Sequence, residues 1–96
     1  MSAEGIVGEK RDEILRIAAS HGARNVRVFG LAARRQLTED SDVDFLVDLE
    51  PGRSLLDPAA LMLELEELLG RPVDIGTTKG LKPRYRERIL SEAVPL

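Results

Sequence analysis

The sequence predicts an α/β (α+β) domain, a small β-sheet with helices packed on it, and three observations carry that prediction. Short stretches with an apolar residue at every second position alternate with longer stretches of helical period. Glycine or proline stands at nearly every junction between them. The chain has 96 residues, enough for a single small domain over 1–96 and too few for two.

Each element follows from local pattern. From Glu9 to about Ser20, residues Ile14, Ile17, Ala18 and His21 fall at i, i+3, i+4 and i+7, drawing one stripe along a helix that Gly22 is placed to end. Asn25 to Phe29 alternates around Val26 and Val28 as a short strand would. Gly30 breaks that strand, and Leu31–Leu37 has the length of a short helix or turn. Asp42 to Leu49 alternates again, with Val43, Phe45 and Val47 on one side and Asp42, Asp44, Leu46 and Asp48 on the other. Pro51-Gly52 forces a turn. Asp57-Pro58 reads as an N-cap followed by a first-turn proline. The helix it opens carries Leu61, Met62, Leu65, Leu68 and Leu69 inward and turns Glu64, Glu66 and Glu67 outward, until Gly70 and Pro72 stop it. Val73-Asp74-Ile75 is a brief strand, and a last helix is expected from Pro83 to about Glu92.

Composition narrows the chemistry. The core must be aliphatic, because the chain has two Phe, one Tyr and no Trp. With no cysteine there is no disulfide, no thiolate nucleophile and no Cys-based zinc site, and with one histidine any metal would be held by oxygen. A net charge of −3 argues against a general nucleic-acid binder. The cluster Lys79, Lys82, Arg84, Arg86 and Arg88 reads first as a solvated helix face. The N-terminal residues lack the pattern of a signal peptide, and no apolar run approaches a membrane span, so a cytoplasmic protein is expected. So small a core predicts self-association or a stable hetero-complex.

The chemistry concentrates between Thr38 and Glu50, where Glu39, Asp40, Asp42, Asp44, Asp48 and Glu50 stand without a basic residue among them. An acidic run is ordinarily just solvated. The spacing argues otherwise. Asp42 and Asp44, two apart on a strand, project from one face about 6–7 Å apart. Like charges so placed repel, and a hard divalent cation between them relieves the repulsion. Asp48 shares the face but lies ~13 Å further along. Asp74 is unfavourable mid-strand unless it sits at an edge facing water. If its strand pairs beside the first, three carboxylates converge, two to clamp metal and one to take a proton from an attacking hydroxyl. Such an arrangement suits phosphoryl or nucleotidyl transfer. Gly30, between a strand and a helical stretch, would let backbone N–H groups approach a phosphate, with Arg34 and Arg35 in the same connection.

Together these residues resemble the minimal nucleotidyltransferases of the DNA polymerase beta superfamily. The family signature is Gly-Ser, ten residues, then Asp-x-Asp, with a third Asp on a later strand. Here Phe29-Gly30-Leu31, the ten residues from Ala32 to Ser41, and Asp42-Val43-Asp44 keep that spacing, and Val73-Asp74-Ile75 supplies the third carboxylate. The segment from Ser41 to Val47 and the ending from Leu81-Lys82-Pro83 through Ile89-Leu90 to Val94 are also family-like. Two positions depart: Leu31 stands where the family has serine, and Arg35 where it has glycine.

The resemblance implies the nucleotidyltransferase fold with its small mixed sheet. It implies Asp42, Asp44 and Asp74 as metal-binding and catalytic residues, and Gly30, Leu31 and Arg34 as the nucleotide-binding turn. It implies Mg²⁺ as cofactor and ATP as substrate. Short members of the family are often antitoxins that add AMP to a tyrosine of a HEPN-type toxin encoded by a neighbouring gene. The alternative is an impaired member that neutralises the toxin by binding alone, since leucine at position 31 cannot hydrogen-bond phosphate through its side chain.

Overall fold

The computed structural model describes residues 3–30, 32, 33, 38, 41–54 and 56–96. Two helices, α1 (Ala3–Glu9) and α2 (Arg11–Ser20), precede strand β1 (Ala23–Phe29). Strand β2 (Val43–Leu49), helix α3 (Leu56–Leu69) and strand β3 (Val73–Thr77) follow. A 3-10 turn (Thr78–Gly80) leads into α4 (Pro83–Glu92), and a two-residue strand β4 (Val94–Pro95) ends the chain.

The sheet order is β3-β2-β1-β4, with β2 and β3 parallel and the other pairs antiparallel. This is the mixed sheet the sequence led us to expect. Parallel pairing of β2 with β3 needs a crossover, and α3 supplies it. One sheet face is packed beneath α2 and α3. Its centre is Phe45, Val43 and Val47 of β2 against Ile14 of α2 and Leu61 and Leu65 of α3, all at most 1% exposed. Leu46, pointing to the opposite face, is fully buried as well.

Several boundaries differ from the sequence reading, each for a local reason. The helix expected from Glu9 is α2, which starts at Arg11, and a further helix, α1, precedes it; between them Lys10 leaves helical geometry at φ −95° and ψ 10°. The bond from the Lys10 N–H to the Ile6 carbonyl keeps them nearly continuous. Glycines at 5 and 8 weaken the periodic signal of α1. Strand β1 begins two residues earlier than expected because a bulge lies between Arg24 and Arg27, where Asn25 takes φ +52°. The bulge puts both Ala23 and Val26 inward although they are three apart, which hides the alternation.

The cap of α3 is Ser54 rather than Asp57. The Ser54 hydroxyl accepts from the Leu56 N–H at 3.2 Å, while the Asp57 carboxylate accepts from the Ser54 N–H at 3.1 Å, a reciprocal capping box. Strand β3 runs two residues past Ile75, and α4 keeps its expected ends. The expected element at Leu31–Leu37 falls largely outside the described residues. None of the described helices is long and apolar enough to cross a membrane.

Candidate functional site

Parallel pairing of β2 with β3 sets Asp44 directly opposite Asp74. Residues opposed in a ladder share a face, so the two carboxylates stand side by side. Asp44 is half-buried and its carboxyl is held above the usual carboxylate range. Burial is the largest cause, followed by the negative charges of Asp74 and Asp42 and a side-chain hydrogen bond shared with Asp74. Asp42 itself lies one residue ahead of β2 and is exposed, close enough for its charge to be felt at Asp44. Asp74 is exposed on β3, the outer strand of the sheet on that side. The three carboxylates singled out in the sequence thus come to one end of the β2–β3 pair.

Gly30 has a specific reason to be glycine. Its φ is +66°, and a Cβ built there would lie 2.8 Å from Asp44 Oδ2. Phe29 pairs with Asp44 in the β1–β2 ladder, so the chain turns away just where it passes the half-buried Asp44. The sequence suggested an approach of backbone to phosphate; the structure adds an approach of backbone to Asp44. Leu31, Arg34 and Arg35 lie outside the described residues.

One contributor escaped the sequence reading. Arg71, between α3 and β3, donates through Nη1 to the Thr38 carbonyl at 2.9 Å and the Ser41 carbonyl at 3.3 Å. The Thr38 N–H donates to the Ser41 hydroxyl at 2.9 Å, and the two hydroxyls lie 2.8 Å apart. The Val43 N–H then donates to the Pro72 carbonyl. The approach to Asp42 is therefore pinned to the loop that leads into Asp74. No local motif marks such a cross-loop arginine.

Asp48, which the sequence set apart as too distant for the same ion, is held by its own partners. It accepts hydrogen bonds from Asn25 at 2.7 Å, Arg27 at 2.9 Å and Thr78 at 2.6 Å. Burial pushes its carboxyl up, but the bonds from Asn25 and Thr78 and the charge and bond of Arg27 outweigh that, leaving it below the ordinary range. It is a satisfied anion, unlike Asp44.

The donor set around Asp44 is all carboxylate oxygen, which suits a hard cation, and the repulsion that raises the Asp44 carboxyl is the repulsion such a cation would relieve. Among the described residues no three acidic or histidine side chains form a ready-made metal cage. Mg²⁺ needs none: it binds through one or two carboxylates and fills its shell with water and phosphate oxygens.

Comparison with known proteins agrees with this geometry. Residues 11–96 match the nucleotidyltransferase domain family. A relative from Methanocaldococcus jannaschii, named "Putative protein adenylyltransferase MJ0435", is 42% identical over 88 residues, covering 92% of this chain and 95% of its own. A solved structure described as a "putative minimal nucleotidyltransferase" superposes with a TM-score of 0.88 at 52% identity, covering 100% of this chain and 97% of that one. A crystal structure of a toxin-antitoxin with AMP-PNP shares the fold, with a TM-score of 0.75 at 14% identity over 88% of this chain and 69% of that one. A family match across nearly the whole chain and a structural match over all of it carry one conclusion: this protein belongs to the nucleotidyltransferase family.

Proposed function

We propose that this nucleotidyltransferase is a Mg²⁺-dependent protein adenylyltransferase that moves AMP from ATP to a tyrosine hydroxyl of a partner, a HEPN-type toxin encoded by a neighbouring gene, and so acts as its antitoxin. The observation that carries the reading is the opposed pair Asp44–Asp74 with Asp42 beside it. The relative named for protein adenylyltransferase activity and the toxin-antitoxin structure that shares the fold support the choice of acceptor.

Asp42 and Asp44 would hold Mg²⁺, which when bound supplies positive charge against the phosphates of ATP. The acceptor oxygen forms a bond to the α-phosphorus as the bond from that phosphorus to the β-bridging oxygen breaks, and pyrophosphate leaves. The hydroxyl proton passes to Asp74, which is exposed on the outer strand of the sheet. Gly30 and Arg34 would line the phosphate end of the nucleotide. The chemistry is chiefly positioning and charge neutralisation, which the laddered pair Asp44–Asp74 with Asp42 beside it would provide.

Leu31 favours a second reading, toxin neutralisation by binding alone, because its side chain offers phosphate no hydrogen bond. One assay separates the two. ATP labelled at the α-phosphate, Mg²⁺, this chain and the neighbouring gene product are mixed, and label on the partner is scored beside partner activity. Label on a partner tyrosine supports the first reading. Neutralisation without label supports the second.

A further inference from the structure

The last third of the chain carries charge that the transfer chemistry does not use. From Lys79 to Glu92 the net charge is +3, in a protein whose total is −3. Helix α4 contributes no buried residue, and Tyr85 at its start is 45% exposed beneath the Arg84 guanidinium, 4.8 Å from its ring centre. An amphipathic helix normally buries one face; this one leaves most of its surface to solvent. Under its first turns lies a cavity of about 330 Å³, lined by Arg27, Asp48, Thr77, Thr78, Lys79 and Arg86 among others.

The charges of this cavity do not cancel. Arg27 and Asp48 form an ion pair at 2.9 Å. Arg86 spends one donor on the Thr78 carbonyl at 3.1 Å but meets no carboxylate, and Lys79 has no side-chain partner, among the described residues. Two cations therefore face a space large enough for a side chain, with threonine hydroxyls beside them. Asp48 lies four residues beyond Asp44 on the same face of β2, ~13 Å away. The cavity is thus a second place, separate from the carboxylates that would hold Mg²⁺.

We propose that this cavity and the basic face of α4 dock an acidic segment of the acceptor protein, with Lys79 and Arg86 taking its carboxylates. The identity of that partner rests on the adenylyltransferase reading; the charge complementarity does not. A polyanion such as RNA fits poorly on a chain whose net charge is −3. An adenine base is neutral and draws little from two uncompensated cations.

The test uses fluorescein-labelled hexaglutamate, with hexaglutamine as control, and fluorescence anisotropy on the full chain. Hexaglutamate is expected to bind and hexaglutamine not, with affinity falling as salt rises. Lys79→Glu, on an exposed side chain with no fold contact to lose, should weaken binding about tenfold or more. In the transfer assay the same variant should raise KM for the acceptor and leave kcat and KM for ATP unchanged. Equal binding of both peptides, an unaffected Lys79→Glu variant, displacement of hexaglutamate by Mg²⁺-ATP, or tighter binding of single-stranded RNA overturns the proposal. Peptide binding as expected without any AMP transfer leaves the docking site standing and removes the adenylyltransferase reading. Transfer with an unchanged acceptor KM in Lys79→Glu does the reverse.

Discussion

Asp44 and Asp74 are register partners in the parallel β2–β3 ladder, and after burial the negative charge of Asp74 is the next cause that holds the Asp44 carboxyl above its usual range. Burial first, and then the repulsion between like charges at adjacent positions, oppose ionisation of Asp44. The pair is therefore a source of strain in the folded protein and a site of attraction for a cation. Three consequences can be measured.

Asp44→Asn should raise thermal stability at neutral pH while abolishing transfer. The folded-state value of Asp44 lies above the ordinary 3.8, so the folded chain holds this proton more tightly than the unfolded one. The resulting stabilisation is complete below that ordinary value and is lost as pH rises through the folded value. At pH 7 the ionised group opposes folding, and asparagine removes the charge. Melting curves of the two proteins should separate at pH 7 and draw together in acid; a variant less stable at pH 7 would show that the pair stabilises the fold.

Mg²⁺ should stabilise the wild type, because a ligand that binds only the folded state raises its stability by RT ln(1 + [L]/Kd). The rise in melting temperature on adding Mg²⁺ with a non-hydrolysable ATP analogue should vanish on adding EDTA and be largely absent in Asp44→Asn. For Asp74→Asn we expect retained Mg²⁺ stabilisation but a kcat lower by about 10²–10⁴-fold, the usual contribution of a general base. Loss of metal binding in Asp74→Asn would instead make Asp74 a ligand first.

Gly30→Ala should damage both fold and site. The left-handed φ of +66° disfavours any Cβ, and this one would press on Asp44 Oδ2 at 2.8 Å. A destabilisation of about 1–2 kcal/mol in urea unfolding is expected from the backbone alone, with Mg²⁺ binding lowered as the carboxyl is displaced. Gly52→Ala offers the control: its φ is +87°, but its Cβ would meet nothing within 4 Å. Equal effects of both on Mg²⁺ binding would sink the claim that Gly30 is spaced for Asp44.

Much of this arrangement could be read before any coordinates. The alternation around Val43, Phe45 and Val47 placed Asp44 on the opposite face from the core, and the mid-strand Asp74 stood out because β structure disfavours it. What the sequence could not supply was their register, which depends on how α3 returns the chain to β3. The bulge at Asn25 was equally hidden, since an extra residue erases the period that marks a strand. Arg71 was missed because its bonds to Thr38 and Ser41 span 33 and 30 positions and have no local signature. The basic residues of α4 read as a solvated helix face, and Lys82, Arg84, Arg86 and Arg88 are indeed exposed; what the sequence could not show is the cavity that Lys79 and Arg86 line.

The remaining prediction concerns Leu31. A serine hydroxyl at this position could donate to a phosphate oxygen, and a hydrogen bond to a charged group is worth about 1.5–3 kcal/mol. Where that bond strengthens towards the transition state, Leu31→Ser should raise the rate of AMP transfer roughly ten- to a hundredfold. Its effect should fall on kcat rather than on KM for the acceptor, since the hydroxyl would meet the nucleotide and not the partner. Backbone N–H groups near Gly30 and the bound metal act in both proteins, so the wild type is expected to be slow rather than inactive. Equal rates in the two proteins would show that the side chain at position 31 takes no part in gripping phosphate. Absence of transfer in both, with the partner still neutralised, would transfer the antitoxin role from chemistry to binding.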